Sequence, residues 1–534
     1  MKKRLMIALC CLVLLVQLLP VVPFAETADI GEIPEDLYYC REALKTLENS
    51  EALLFASDNI VAGIDACADE IIISNSQYEI SLAEFEMVLE ATRRDHTEQF
   101  WMGTTYTPYT TQDKTRVEKI VPTYLMTGDE LQDAKAAFNQ AIDLMISRLD
   151  PDMSEYEMEK ALHDMLAVQV TYISTPNAHN AYGALVEGKA VCEGYAEALQ
   201  CLLQRVGIQS IEIFGESRDE NHAWNMVRID GQYYLVDLTW NDQDNILLYA
   251  YFNQTSAVFA EDHQQWNIGQ KASGEELTCE VFALPVCTAT TADYFTQEGL
   301  RIATYTVESI GKLLKENDLS VALFLESDPA AFDAWYESNI EAIAKAAGVS
   351  GNFLYSSMPV GRQVLIYIET CEHKNMSTVA AKAPTCDADG NTEHRVCNDC
   401  QKIFLTENDA YGDPIEIMNR ESIKVFSIGH DWTVRNTENE ATLKHTAANC
   451  QEYDTYWYIC AVCGEMSDTY TFTTKAGDHV DADGDGVCDL CRDGESPFGL
   501  DDILEIVKNP IVLGGGGGVI LLIIIIAIIR RIRG

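Results

Sequence analysis

Asp230-Gly231 constrains this chain more tightly than any other pair of residues. It separates two runs rich in Val, Ile, Tyr and Trp, residues 222–229 and 232–240. An Asp-Gly pair between two β-type segments signals a two-residue hairpin loop, which fixes how the strands pair. With those residues in the turn, Ile229 faces Gln232, Trp224 faces Asp237 and His222 faces Thr239. Side chains alternate faces along a strand, so His222, Trp224, Asp237 and Thr239 project from one side. His222 and Asp237 become diagonal neighbours, roughly 5–8 Å apart at Cβ and within reach of a side-chain hydrogen bond. A one-residue bulge would send them to opposite faces.

A cysteine upstream completes a chemical set. After Cys192, apolar or aromatic residues fall at Tyr195, Leu199, Leu202, Leu203 and Val206, followed by Gly207. That spacing predicts an amphipathic helix closed by a glycine. Cys192 then sits at or just before the first turn, where unpaired backbone N–H groups and the helix dipole favour an anion. A thiol there ionises more easily, and the thiolate is the nucleophile. The same N–H groups can hold the oxyanion of a tetrahedral intermediate. Gly188 and Gly194 allow tight turns or close approach of another segment beside the thiol.

Each residue alone has a plain structural explanation: Cys192 a buried thiol, His222 a satisfied strand residue, Asp237 a strand-end cap. Together they form a consistent constellation. Asp237 accepts from one imidazole nitrogen and fixes the tautomer. The other nitrogen of His222 faces the sulfur, first as general base and then as general acid.

The motifs Gly188-Lys-Ala-Val-Cys192-Glu-Gly-Tyr-Ala196, His222-Ala-Trp-Asn225 and Val236-Asp237-Leu-Thr-Trp240, within about sixty residues from Asn180 to Asp242, resemble the transglutaminase-like superfamily. The resemblance implies an α+β fold with a papain/transglutaminase-like core, in which a helix bearing the nucleophilic cysteine packs on an antiparallel sheet bearing the histidine and aspartate. It implies catalytic roles for Cys192, His222 and Asp237 and no cofactor for catalysis. That superfamily spans cross-linking enzymes, peptidases, deamidases and inactive relatives, so the mechanism is better specified than the substrate. For its additional oxyanion donor upstream of the cysteine, Tyr182 is the candidate.

The ends of the chain suggest an address. Met1-Lys2-Lys3-Arg4 and the apolar run to Val22 read as a secretory signal over residues 1–25. Residues 511–529 lack charge, rise about 28 Å as a helix and precede Arg530, Arg531 and Arg533. They read as a transmembrane helix with residues 530–534 as a cytoplasmic tail, leaving an exported, surface-facing protein. Glycines at 514–518 leave room for a processed sorting signal instead. A formal net charge of −47 argues against nucleic acid and anionic lipid as partners.

Between the ends, residues 30–150 form an N-terminal helical region, with helix-like patterns at 82–91 and 130–149 flanking a polar aromatic stretch at 100–109. Residues 151–270 form the catalytic domain. A second α+β module covers residues 286–370, with strands near 302–305, 321–325 and 364–368 and helices at 307–316 and 329–347. Residues 371–495 are small Cys/His-rich modules. One unit offers His373, Cys386, Cys397 and Cys400; the next offers His430, Cys450, Cys460 and Cys463; a shorter third offers His479, Cys488 and Cys491. One His with three Cys suits tetrahedral zinc, and disulfides are the competing reading for an exported chain. Asp481, Asp483, Asp485 and Gly486 copy the opening of a calcium loop, but Arg492 stands where its bidentate Glu belongs. Of the remaining cysteines, Cys40 with Cys67 and Cys279 with Cys287 are candidate pairs, leaving Cys192 and Cys201 as thiols.

Three functions stay open. A surface peptidase or amidase would resolve the acyl-enzyme with water, acting on protein or peptide substrates that could include cell-wall peptide. A cross-linking transglutaminase would resolve it with an amine. A binding scaffold would carry a silent site.

Overall fold

Serine caps begin the helices that frame the site. Ser81 and Ser154 each accept from the backbone N–H three residues on, and Glu84 and Glu157 reach back to the cap N–H. This reciprocal pairing satisfies two otherwise unpaired donors at each helix start. In the computed structural model the described residues are 33–243, 246–267, 282–408, 414–417, 423–427, 429, 443–446, 453–460 and 462–476.

The N-terminal region contains α1 (Ser50–Asp65) and α2 (Leu82–Asp95), a hairpin of β1 (Met102–Thr110) and β2 (Val117–Tyr124), and α3 (Gly128–Ile146). Next come α4 (Glu155–Gln169), α5 (Cys192–Arg205), β3 (Ser210–Ser217), β4 (Glu220–Ile229), β5 (Gln232–Val236), the single turn α6 (Leu238–Asn241) and β6 (His263–Asn267). The sheet runs β6-β3-β4-β5, antiparallel throughout.

In the β4–β5 hairpin Ile229 pairs with Gln232 and Asn225 with Val236. Asp230 and Gly231 have φ of 49° and 77°, the double left-handed conformation of a turn matched to strand twist. The expected register holds to Val236 and then stops. Asp237 caps α6, accepting from the Trp240 N–H, so Thr239 lies in a helix and not opposite His222.

Helix α5 buries Tyr195, Leu199, Leu202 and Leu203. Asn225 of β4 donates to its Ala196 carbonyl at 2.9 Å. Arg94 of α2 pairs with Glu90 at 2.7 Å and with Glu212 of β3 at 2.5 Å, and its carbonyl accepts from Gln200 of α5. All these groups are buried, so α2, α5 and β3 share one polar knot. A single buried apolar cluster extends from Cys40 through both helical and sheet segments to Ala292.

A second apolar cluster underlies residues 300–368. Here α7 (Val307–Glu316) and α8 (Pro329–Ala346) accompany β7 (Ser320–Leu325), β8 (Leu354–Val360) and β9 (Gln363–Glu369). The sheet order is Arg301–Ile302, β7, β9, β8. Then follow β10 (Met376–Val379), β11 (His394–Cys397), β12 (Ile403–Asn408) and β13 (Pro414–Glu416), paired in that order. Beyond Gly429 a separate unit contains an antiparallel sheet of Leu443–His445, Tyr453–Ile459 and Met466–Ala476.

The signal segment and the 511–529 span lie outside the described residues. Among the described residues no helix is long and apolar enough to cross a membrane. Cys40 and Cys67 form no disulfide: Cys40 lies in the first core, its backbone N–H bonded to Asp95, while Cys67 follows the end of α1. Cys279 is outside the described residues.

Candidate active site

Cys192 is the first residue of α5, after Val191 at the cap. Two local features hold it there. Residues Thr171–Tyr172 run parallel to Lys189–Ala190, setting Tyr172 beside the helix start. Gly188 adopts φ of 65°, and a Cβ on Gly194 would stand 2.3 Å from the Ala178 carbonyl. Glycine is therefore needed at both positions. Cys192 is partly exposed.

His222 lies near the outer end of β4 and is largely buried. Its Nε2 donates to Asp237 Oδ2 at 2.8 Å. Cys192 is near enough to the same imidazole to raise its pKa, and with Nε2 committed to the carboxylate, Nδ1 is the nitrogen left for sulfur. Burial disfavours the imidazolium, but the charge and hydrogen bond of Asp237, with Cys192 adding to them, push the His222 pKa up to about 10. Asp237 is fully buried, and burial alone would raise its pKa. Its two histidine partners outweigh that and hold the carboxyl well below the usual carboxylate range.

The second of those histidines is His263, which the sequence reading did not select. It lies on β6, with Nε2 donating to the same Asp237 oxygen at 3.1 Å and Nδ1 facing Asp262 Oδ1 at 2.8 Å. Tyr251 donates to the other Asp262 oxygen at 2.6 Å. Asp237 Oδ1 accepts from the Trp240 backbone at 3.0 Å, so both its oxygens are engaged. Aromatic rings wall the pocket. Trp224 stacks on His222 at 6.0 Å between centroids, and Trp240 is tilted at 5.6 Å. His222, Asp237 and His263 also sit close enough together to share a cation, though both ring N–H groups already point at one carboxylate oxygen.

Tyr182 stacks on Phe100 at 4.8 Å. Tyr172 is the tyrosine set beside the helix start. Its hydroxyl feels the Cys192 backbone N–H and thiol, and its side of the site is open, with 59% exposure. No local signal marked it, because the pairing that positions it is only two residues long.

The expected metal ligands separate. His373, Cys397 and Cys400 come together, but the fourth position beside them is taken by Cys371 and not by Cys386. Cys371 lies two residues past the end of β9, and the left-handed backbone at His373 (φ 47°) folds the intervening segment back on itself. Cys386 is buried elsewhere in the loops that follow β10. His430, Cys450, His479, Cys488, Cys491 and the aspartates 481, 483 and 485 lie outside the described residues. Cys460 opens the tight turn between the second and third strands of the separate unit, and Cys463 lies within it.

Residues 145–238 match the family model of the Transglutaminase-like superfamily. Human kyphoscoliosis peptidase (Homo sapiens) is 32% identical over 96 residues, and its mouse counterpart (Mus musculus) 30%; each match covers 14% of this chain and 14% of the relative. The chain thus spans about 14% of the length of these curated relatives. A crystal structure described as a TGase shares 14% identity over 29% of this chain and 48% of that one, with a TM-score of 0.20.

Proposed function

Starting from the transglutaminase-like core carried by residues 145–238, we propose that this protein is a cysteine-nucleophile hydrolase of peptide or amide bonds. The observation that carries the reading is one imidazole engaged on both sides, by Asp237 at 2.8 Å and by the Cys192 thiol. In this mechanism the proton shared between the Cys192 sulfur and His222 rests on the imidazole, as its raised pKa favours, while the sulfur adds to the substrate carbonyl. The developing oxyanion takes the Cys192 amide and the Tyr172 hydroxyl as donors. Collapse of the intermediate breaks the C–N bond, and His222 passes its proton to the leaving amine. Water, deprotonated by His222, then attacks the thioester, releasing the acid and restoring the thiol. Water as the acceptor is supported by the partial exposure of Cys192 and the openness of Tyr172. The peptidases among the relatives lend the same direction.

The test incubates wild type and Cys192→Ala with protein and peptide substrates and a labelled primary amine. Cleavage or ammonia release that disappears in the variant, without amine incorporation, is expected. The loss should be at least ~10³-fold, as for removal of other nucleophiles. Amine incorporation dependent on Cys192 would make the protein a transamidating enzyme. Absence of any Cys192-dependent product, and of labelling by a thiol-directed probe, would leave a scaffold.

A further inference from the structure

Residues 371–408 carry a cluster that the acyl-transfer chemistry does not use. Cys371 Sγ and Cys397 Sγ are 3.6 Å apart, and Cys400 Sγ lies 3.4 Å from His373 Nδ1. The four ligand atoms all fall within 4.8 Å of one another. A disulfide would bring two sulfurs to about 2.05 Å, and none of these cysteines is in one. Sulfurs bound to one tetrahedral zinc at about 2.3 Å would stand roughly 3.8 Å apart. The observed spacing matches that edge.

The surroundings are those of a ligand shell already oriented. His373 turns its other nitrogen, Nε2, to Glu369 Oε2 at 3.2 Å, and Lys402 Nζ neutralises the same oxygen at 2.5 Å. A carboxylate behind a histidine fixes the tautomer that leaves Nδ1 bare for a metal and raises its basicity. The His373 backbone N–H donates to Cys371 Sγ at 3.4 Å. The left-handed backbone at Gln401 (φ 64°) closes the turn that presents Cys397 and Cys400 together. Strands β11 and β12 support that turn, and β10 pairs Met376 with Cys397.

We propose that Cys371, His373, Cys397 and Cys400 form a structural zinc site that fastens the start of the β10–β13 sheet to the end of β9. Four protein ligands leave no position for water or substrate, so the ion holds structure and does no chemistry.

The test uses the full chain, purified without chelator, with zinc measured per chain. Because further Cys and His residues lie elsewhere, the reading is a difference. Cys371→Ser, and separately Cys397→Ser with Cys400→Ser, should each lose one equivalent relative to wild type. A ligand set containing Cys386 in place of Cys371 predicts no loss from Cys371→Ser. Glu369→Gln keeps all four ligands and guards against simple misfolding. It should retain the equivalent but yield it to a chelator about ten- to a hundredfold more readily. Unchanged zinc in the cysteine variants, unchanged release from Glu369→Gln, or a wild-type mass two hydrogens light from a disulfide within this set would each overturn the proposal.

Discussion

Two centres in this chain use nearly the same parts. In one, a cysteine meets a histidine backed by Asp237; in the other, cysteines meet a histidine backed by Glu369. In both the imidazole gives Nε2 to a carboxylate and leaves Nδ1 for sulfur. What separates them is the number of thiols and the setting of the carboxylate. A single sulfur at the open start of a helix is free to attack a carbon. Three sulfurs converging on one histidine leave no room for substrate, and their lone pairs suit a cation. Asp237 is fully buried and answers to two imidazoles, whereas Glu369 is partly exposed and tied to a lysine. The histidine–carboxylate pair therefore does not by itself separate the two centres; the number of sulfurs beside it does.

The sharpest way to break this parallel is to neutralise each carboxylate in turn. Asp237→Asn should lower the Cys192-dependent turnover by on the order of 10²–10⁴-fold, because an amide can hold the wrong tautomer and cannot stabilise the imidazolium. Glu369→Gln should leave that turnover unchanged. If both substitutions reduced turnover equally, the two centres would not be separate in function. Steady-state kinetics on the substrate found with Cys192→Ala as the blank would decide.

A smaller effect is expected at His263. It touches neither sulfur nor substrate, and it acts by holding Asp237 from behind, itself held by Asp262. His263→Gln keeps a donor but loses the ring nitrogen that faces Asp262, so turnover should fall roughly ten- to a hundredfold through misplacement of the Asp237–His222 pair. As a positioning residue it should also shift the pH profile of turnover, which a purely structural loss of folded protein would not do. An unchanged profile at reduced turnover would demote His263 to packing.

The reach of the sequence differed between these centres for physical reasons. The hairpin was legible because Asp230-Gly231 permits few turn geometries, and one turn type sets the register of both strands. The start of α5 was legible from its apolar spacing. His263 was not, because it joins the sheet through β3, pairing with Ser217 across a long irregular connection. Its only mark was the preceding Asp262. Cys371 was missed for a different reason. Residues two apart in extended chain share a face, but here a positive φ at His373 bends the segment so that both ligands reach Cys397 and Cys400. Nothing in the letters Cys-Glu-His announces that bend. The β1–β2 hairpin was read as a polar aromatic stretch because β1 is largely open to solvent and shows no apolar alternation. Strand β8 has the same character.

The finest test of the comparison is stability against pH, since one carboxylate is buried with its histidines and the other is not. The His222 pKa is pushed up to about 10 in the folded protein, above the ~6.5 of an ordinary imidazole. Its contribution is therefore fully present below about pH 6.5 and is lost as pH rises through about 10. The depressed carboxyl of Asp237 acts oppositely: its contribution is present above the ordinary carboxylate range and is lost as pH falls through its lowered value. The two overlap from about pH 5 to 6.5. The gap in Tm between wild type and Asp237→Asn should be widest there, on the order of several degrees, and should narrow steadily toward pH 10. Thermal unfolding of both proteins across that range measures it directly. A gap that widened on the alkaline side would mean that His222 is neutral in the folded state, and Asp237 would then be orienting a base and not holding an ion pair.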